Sequence, residues 1–476
     1  MENKLIAALE TAFVQHRRVT AFWQEDGTAL TFENLHYTII SFAEQLLEKG
    51  VSKKENVAVF IGDPLAGLAL RIAILRIGAN LVSAPRQRLL DPSLEIRFVI
   101  CRADEEIQHP GRVDFDQSWI RSPSRMVPIG QAGNVILSTS GTTGTPQLRS
   151  FADDGIYNRV IHGLSFRGAL HGPVLIAQNM AAIVGLKASL TALISGQPQL
   201  HFRGEPEKVV AQTALFGISV AFIAPVELVR LTEAAESNDA VELRIERINV
   251  GGGKISRLLA ERAERALSGE VFTDYGSTET DTIASQRIVE GPTAQGAVGR
   301  PHHPIECRVR QIEGHVGGSN GDGVLWVRIP SALNSFDFPG GESLSDKMGW
   351  INTGDIARIE SDGTIVLTGR VFDLINAGGN KISTGAVESI ALASGMVAEV
   401  AAFRLDTDSG IDAIGIAAIP LGADQSPLRL SDHLVEVLRG HFNISVFFSD
   451  ELPRGDTGKI DRSRLATWVD STSKKS

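Results

Sequence analysis

Residues 138–146, with the sequence STSGTTGTP, combine two glycines with a dense set of hydroxyl side chains. Glycines let backbone N–H groups converge on an anion, and the hydroxyls add donors to the same concavity. The run follows Val135, Ile136 and Leu137, which predict the end of a buried strand. A polyphosphate suits such a loop, although an ordinary surface loop can have the same composition. It is not a Walker A loop, because the spacing GxxxxGK[ST] occurs nowhere in the chain.

A second cluster, DYGSTE at residues 274–279, follows the apolar pair Val271 and Phe272. Tyr275 offers a flat face for a nucleotide base, and Thr278 offers a hydroxyl for a phosphate. Glu279 is a hard oxygen ligand of the kind that Mg²⁺ prefers. The alternative interpretation is a turn at the end of a strand with a solvated glutamate.

A third cluster, NTGD at residues 352–355, is followed by Gly369 and Arg370. A carboxylate just before a strand can accept hydrogen bonds from both hydroxyls of a ribose, and an arginine adds a donor to the same sugar. The pattern therefore predicts that Asp355 and Arg370 bind a ribose. A common Gly-Asp turn is the structural alternative.

A fourth cluster, PRGDTGKIDR at residues 453–462, places Lys459 on a glycine-flanked turn near the C-terminus. Most lysines are solvated surface residues, and that interpretation stands beside a catalytic one.

The elements that must position these clusters alternate between strand and helix in the first part of the chain. Apolar periodicity and capping residues predict helices at 31–49, 63–78, 187–194 and 227–236, and strands at 57–61, 80–84, 174–177, 220–223 and 248–251. This order predicts parallel sheets covered by helices.

From Gly296 onward the predicted strands are short and separated by turns, which indicates a small antiparallel or barrel-like unit. After Arg370 a last segment has its own helices and strands. The expected fold class is α/β: a large N-terminal domain, residues 1–369, of stacked α/β sheets plus the small β-barrel-like unit. A small α+β C-terminal domain, residues 370–476, follows a hinge.

Composition narrows the function classes. The formal net charge of −10 over 476 residues argues against a nucleic-acid partner. Two distant cysteines exclude a disulfide scaffold and a cysteine-based zinc site, and they fit a reducing compartment. No secretory signal is visible, and the longest apolar stretch, 173–194, contains polar residues that are costly in lipid, so no membrane span and a cytoplasmic location are expected.

In their order and separations, the four clusters resemble the adenylate-forming superfamily: acyl-CoA synthetases, peptide-synthetase adenylation domains and luciferases. The resemblance runs from about residue 29 to residue 465. Within the superfamily, the sequence pattern is most similar to that of acid–CoA ligases. It implies that ATP and Mg²⁺ activate a small carboxylic acid as acyl-AMP, with release of pyrophosphate. The acyl group then passes to CoA, or alternatively to the phosphopantetheine of an acyl-carrier protein.

The resemblance also implies roles for individual residues. The phosphate loop is Thr139, Ser140, Gly141, Thr142, Thr143 and Gly144. The adenine site is Gly251, Gly252, Gly253, Asp274, Tyr275 and Gly276. Thr278 contacts the α-phosphate, Glu279 holds Mg²⁺, and Asp355 and Arg370 bind the ribose. Lys459 bridges the acid and the α-phosphate. Rotation of the C-terminal domain replaces Lys459 with Gly378 and Gly379, which line the thiol channel.

The chain departs from the family pattern in three places, one of which is the pocket entrance, where residues 178–185 lack the usual His or aromatic residue. The loop normally ends Pro-Lys-Gly, but Gln147 replaces the lysine here, and Arg149 is expected to reach the γ-phosphate instead. The hinge position falls on Phe372, where the family often has Asp or Lys. A catalytically impaired nucleotide- or acyl-binding relative is therefore an alternative to an active ligase.

The substrate class follows from the stretch before Gly196. Alignment with the family sets Ile183 where amino-acid-activating domains hold an amine-binding aspartate. A buried substrate ammonium without a counter-charge would be costly, so a carboxylic acid without an α-amine is expected. The predicted apolar pocket consists of Ala181, Ala182, Ile183, Val184, Phe222 and Ala224.

Overall fold

The computed structural model describes most of the chain. The described residues are 3–83, 86, 89–139, 147–237, 242–290, 296–312, 321–331, 333, 336–337, 345–371, 374–377, 380–405, 413–422, 424–438, 443–454, 460–461, 464–465 and 467–469.

The helices within these ranges are α1 (Lys4–Gln15), α2 (Phe32–Glu48), α3 (Pro64–Arg76), α4 (Asp153–Arg167), α5 (Ile183–Ile194), α6 (Pro206–Leu215), α7 (Pro225–Glu236), α8 (Arg257–Leu267), α9 (Thr384–Ala393) and α10 (Pro427–Val437). The strands are β1 (Thr20–Trp23), β2 (Ala29–Thr31), β3 (Asn56–Phe60), β4 (Asn80–Ser83), β5 (Ile96–Arg102), β6 (Arg112–Phe115), β7 (Asn134–Thr139), β8 (Gln147–Ala152), β9 (Val174–Ala177), β10 (Gln199–His201), β11 (Val220–Ile223), β12 (Arg247–Gly251), β13 (Glu270–Ser277), β14 (Asp281–Arg287), β15 (Ala297–Gly299), β16 (Glu306–Gln311), β17 (Gly323–Arg328), β18 (Phe336–Asp337), β19 (Ile351–Ile359), β20 (Ile365–Arg370), β21 (Leu374–Ala377), β22 (Asn380–Ser383), β23 (Val397–Leu405), β24 (Ala413–Pro420) and β25 (Ile444–Phe448).

Where a capping side chain is present, it determines the residue at which the helix begins. The Thr31 side chain accepts a hydrogen bond from Asn34 N at the start of α2, and Asp63 does the same for Ala66 N before Pro64 at the start of α3. Both helices lie where the sequence predicts them. Helix α5 begins at Ile183, four residues before its predicted start, with no side-chain cap at Ala182.

Two mainly parallel sheets form the larger part of the fold. One has the order β14-β13-β12-β11-β9-β10-β1-β2 and the other β18-β8-β7-β4-β3-β5-β6. Strands β9, β10, β11, β12 and β13 run parallel, so their carboxyl ends meet at one edge of the first sheet. Strands β3, β4, β5, β6 and β7 run parallel in the second sheet. The predicted α/β class, with helices covering parallel strands, is confirmed.

The later strands pair antiparallel, as the short strand signals after Gly296 indicate, except that β24 and β25 run parallel. A five-stranded sheet has the order β15-β20-β19-β17-β16, and a three-stranded sheet has the order β23-β24-β25. Strand β19 corrects one prediction: Asp355 lies inside the strand and does not precede it. The ladder continues through Gly354, at φ +73°, because the register between β17 and β19 shifts there.

Residue contacts divide the chain into two compact units. The first is Met1–Gly291 with Ile329–Ser343, and the second is Pro292–Arg328 with Leu344–Ser476. Arg370, where the sequence predicts a domain boundary, lies within the second unit, and that boundary stays a prediction. Each unit has its own apolar core, built around Phe42 and Leu68 in the first and around Ile414 and Leu434 in the second. Within the described residues, the helices are too short or too polar to cross a membrane.

Candidate active site

The carboxyl edge of the first sheet brings two of the predicted clusters together. Gly251, at the end of β12, pairs with Asp274 in β13. A Cβ atom on Gly251 would lie 3.4 Å from Gln178 Nε2 and 4.0 Å from Asp274 Cβ, whereas Gly252, at φ +88°, has open space beside it. The predicted adenine-flanking glycines therefore lie next to the DYGSTE cluster.

Strands β13 and β14 form a tight hairpin that carries Thr278 and Glu279 at its turn. Gly276 permits the close approach of the two strands, because a Cβ atom there would lie 1.9 Å from Asp281 O. The backbone N–H of Ser277 donates to Thr280 Oγ1 at 3.0 Å, and the Thr280 N–H donates to Ser277 Oγ at 3.2 Å. These bonds fix the turn from inside.

Arg159, on α4, holds the same turn from behind. Its Nη1 donates to Thr278 O at 2.7 Å, its Nη2 to Glu279 O at 2.9 Å, and its Nε to Leu333 O at 3.1 Å. The side chain is 1% exposed. Burial lowers the pKa of Arg159, and the nearby charges of Asp281 and Glu279 oppose that shift.

The carboxylate of Glu279 lies against Arg149 of β8, with 3.0 Å between Arg149 Nε and Glu279 Oε1. Strand β8 pairs antiparallel with β7, so that Thr139 faces Gln147 across the ladder. The chain thus leaves β7 and enters β8 at paired positions, and Arg149 follows the Ser/Thr/Gly run by three residues in the sequence. The sequence predicts that Arg149 reaches the γ-phosphate of ATP. In the structure, Arg149 contacts Glu279, the predicted Mg²⁺ ligand.

A buried ion pair lies directly after the turn. Lys187 Nζ on α5 donates to Asp281 Oδ1, and His162 Nδ1 lies 3.6 Å from Asp281 Oδ2. Burial raises the pKa of Asp281, but the charge of Lys187, the contact with His162 and the charge of Arg159 outweigh it, so the net pKa is lowered. Burial lowers the pKa of Lys187.

Asp274 already has a partner at each carboxylate oxygen. Arg167 Nη2 donates to Oδ2, and Ser285 Oγ donates to Oδ1 at 2.5 Å. The Arg167 guanidinium also lies 5.5 Å from the centre of the Phe222 ring. Of the predicted pocket residues, Ile183 and Phe222 are buried and Ala181 is exposed.

Four charged residues here were not predicted from the sequence: Arg159, Arg167, Lys187 and Asp281. Their partners lie 94 to 120 residues away in the chain, except Leu333, which is 174 residues from Arg159. One signal was available, because Lys187 is the only Lys or Arg in the apolar helix IVGLKASLTALI.

In the second unit, Asp355 and Arg370 form an ion pair across adjacent strands. Asp355 of β19 faces Arg370 of β20, and Arg370 Nε donates to Asp355 Oδ1 at 2.8 Å. The aspartate is buried, while the side chain of Arg370 is 58% exposed. Thr353 Oγ1 accepts from the Asp355 N–H at 3.1 Å, which fixes the aspartate backbone. The two residues predicted to share a ribose are therefore neighbours.

Several predicted site residues lie outside the described residues. They are Ser140, Gly141, Thr142, Thr143, Gly144, Gly378, Gly379 and Lys459, together with the hinge position Phe372. For Thr139 the structure gives the backbone position alone.

Comparison with known proteins finds similar enzymes. Residues 103–335 match the model of the AMP-binding enzyme family. A 2-succinylbenzoate–CoA ligase from Bacillus cytotoxicus is 24% identical over 481 residues, covering 96% of this chain and 97% of the relative. The fold is shared with an o-succinylbenzoate coenzyme A synthetase from Bacillus subtilis, solved with ATP and magnesium ion (TM-score 0.80, 23% identity, 96% and 98% of the two chains). It is also shared with an amide bond synthetase from Marinactinospora thermotolerans (TM-score 0.81, 20% identity, 98% and 99% of the two chains). These similarities agree with the resemblance of the four sequence clusters to the adenylate-forming superfamily.

Proposed function

We propose that this chain is an AMP-forming acid–CoA ligase, which activates a carboxylic acid with ATP and transfers the acyl group to CoA. The observation that carries the proposal is the Thr278–Glu279 turn, which lies beside Gly251 and Asp274 at the carboxyl edge of a parallel sheet, where α/β folds bind ligands. The names of full-length relatives, among them 2-succinylbenzoate–CoA ligase, support the same reaction class.

The first step joins two anions. A carboxylate oxygen of the acid attacks the α-phosphorus, the bond from that phosphorus to the bridging oxygen breaks, and pyrophosphate leaves. Two unit charges 4 Å apart repel by about 4 kcal/mol at an effective dielectric constant near 20. We assign the task of reducing this repulsion to the ammonium of Lys459, aided by the Thr278 hydroxyl at the α-phosphate.

The donor set fits magnesium bound through a nucleotide. Mg²⁺ is usually held by one or two carboxylates together with substrate phosphates and water. The described residues contain no group of three or more His, Cys, Asp or Glu side chains that would hold a metal by themselves. Glu279 offers a single partly exposed carboxylate at the turn, which suits this mode of binding. When bound, the ion neutralises phosphate charge.

We propose the following contacts for the nucleotide. Gly251, Gly252, Gly253, Tyr275 and Gly276 flank the adenine. Asp274 accepts from the adenine amino group through a remaining lone pair, since each of its oxygens already has one partner. Asp355 accepts from the ribose hydroxyls, and its ion pair with Arg370 fixes the orientation of the carboxylate. The phosphate loop is the set of residues 139–144.

The second step transfers the acyl group from AMP to a thiol. The thiol sulfur attacks the acyl carbon, AMP leaves, and a thioester forms. We propose CoA as the thiol donor, with Gly378 and Gly379 lining its channel after rotation of residues 370–476. The acid has no α-amine in this proposal, because Ile183 is a buried apolar residue at the position of the amine-binding aspartate.

Product analysis tests the proposal. The protein is incubated with ATP, Mg²⁺ and a panel of aliphatic and aromatic acids, with CoA in one series and a holo acyl-carrier protein in the other. Mass spectrometry is expected to detect AMP and an acyl-CoA that need both ATP and one acid. An acylated carrier protein without acyl-CoA would replace CoA with the alternative acceptor, and no AMP with any acid would overturn the proposal.

A further inference from the structure

The ion pair between Arg149 and Glu279 links the proposed Mg²⁺ ligand to the strand that follows the Ser/Thr/Gly run. Arg149 Nε and Glu279 Oε1 are 3.0 Å apart. The two side chains are 6% and 19% exposed, so solvent screens their attraction only weakly. The pair therefore brings a strong cation to the carboxylate that the proposed function gives to a metal ion.

Arg149 lies on β8, close to the position where loops of the resembled family carry a lysine that this chain lacks. Positions 147 and 149 have the same parity in the strand, so they belong to the same face. The resembling loops have a lysine where this chain has Gln147. Arg149 thus lies two residues, roughly 7 Å of strand, beyond that position. A long guanidinium side chain can span a distance of this size.

We propose that Arg149 supplies the cation for the β- and γ-phosphates of ATP, and that binding of Mg·ATP exchanges its ion pair with Glu279. The carboxylate becomes a metal ligand, and the guanidinium moves to phosphate oxygens. This inference rests on the proposed function, because it assumes that ATP occupies the Ser/Thr/Gly run.

Electrostatics favours this exchange. A divalent cation at Glu279 repels the guanidinium that holds the same carboxylate. Phosphate oxygens accept two parallel hydrogen bonds from an arginine, so the guanidinium gains a new anionic partner when it leaves the old one. Before ATP binds, the pair keeps both charges compensated, which avoids a shielded carboxylate without a partner.

Calorimetric titrations with Mg·ATP and with AMP, without acid or CoA, test the inference. Arg149→Val is expected to weaken Mg·ATP binding by about 10- to 100-fold, the effect of one lost hydrogen bond to a charged group. AMP binding is expected to change less than about twofold, because AMP lacks the β- and γ-phosphates. The double variant Q147K/R149V, which moves the cation two residues along the same face, is expected to recover most of the lost affinity.

The matched control is Arg287→Val. Arg287 is also a strand arginine paired with a glutamate, Glu264, but it lies at the opposite end of the β13–β14 pair. The Arg287→Val variant should leave the affinities for Mg·ATP and for AMP unchanged. Thermal unfolding checks that each variant is folded. Equal loss of ATP and AMP affinity in Arg149→Val, or no loss of either, would overturn the inference. A wild-type protein that binds neither nucleotide would overturn the proposed function itself.

Discussion

Strand β8 and helix α4 each bring an arginine to the turn that carries Thr278 and Glu279, but the two arginines bind different atoms of it. Arg159 of α4 donates to the backbone carbonyls of both residues and to Leu333 O. Arg149 of β8 contacts the Glu279 carboxylate. A backbone carbonyl has no function besides its hydrogen bond, whereas a carboxylate can change partners. Arg159 therefore fixes the turn, whereas the partner of Arg149 is a group that can also bind a metal ion.

Removal of Arg159 is the largest expected effect. Arg159→Ala leaves three carbonyl groups, one buried and two partly buried, without their side-chain donors, at about 1–3 kcal/mol for each unsatisfied group. We expect the free energy of unfolding to fall by about 5 kcal/mol in urea titrations, with loss of adenylation. Arg159→Lys should recover little, because an ammonium cannot span the three carbonyls as a planar guanidinium does.

A surface variant provides the reference for that measurement. Arg358→Ala removes an exposed ion pair with Glu360, which should cost less than about 1 kcal/mol. If Arg159→Ala lost no more unfolding free energy than Arg358→Ala, Arg159 would not be the residue that fixes the turn.

The Lys187–Asp281 pair extends the comparison to a buried side-chain pair. Lys187→Met leaves Asp281 without its ammonium and is expected to cost about 3 kcal/mol of unfolding free energy. The double variant K187M/D281N removes both charges and should be more stable than Lys187→Met alone. If the unfolding free energy lost in K187M/D281N equalled the sum of the losses in the two single variants, the two side chains would not interact.

The smallest effect concerns a buried group that has no ionic partner among the described residues. Burial lowers the pKa of His201 to about 3. An unfolded histidine titrates near pH 6.5, so the unfolded chain binds more protons between these values and stability falls as the pH is lowered. From pH 7.0 to 5.5, His201 should account for a loss of about 1.3 kcal/mol.

Urea titrations at the two pH values measure this contribution. The His201→Gln variant should lose about 1.3 kcal/mol less than the wild-type protein over the same interval. The exposed His171→Gln variant is the control and should follow the wild type. Equal pH dependence of all three proteins would place His201 in contact with water.

Local chemistry made much of the fold predictable. The starts of α2 and α3 follow from Thr31 and Asp63, because a cap and its helix are adjacent in sequence. The position of Glu279 on a turn was predictable for the same reason. The start of α5 was not, because Ala182 offers no capping side chain and tertiary packing decides where the helix begins.

Contacts between residues that are far apart in the chain could not be predicted from the sequence. Arg159 and Lys187 bind partners that lie in other elements, and no local signal identifies those partners. Asp355 was expected before a strand, because Gly354 normally indicates a turn. The register shift between β17 and β19 instead lets the strand continue through it. Motif order was sufficient to predict the similarity to AMP-binding enzymes, since it depends on residue types and spacing and not on contacts.

Exchange of labelled pyrophosphate into ATP in the presence of a carboxylic acid measures the proposed adenylation step itself. We expect exchange that requires one of the acids in the panel. We also expect Lys459→Ala to slow the exchange by about 10²- to 10³-fold, while Lys53→Ala, at an exposed site, leaves it unchanged. Exchange that needs no acid, or that proceeds at the wild-type rate in Lys459→Ala, would show that Lys459 does not promote acid-dependent adenylation.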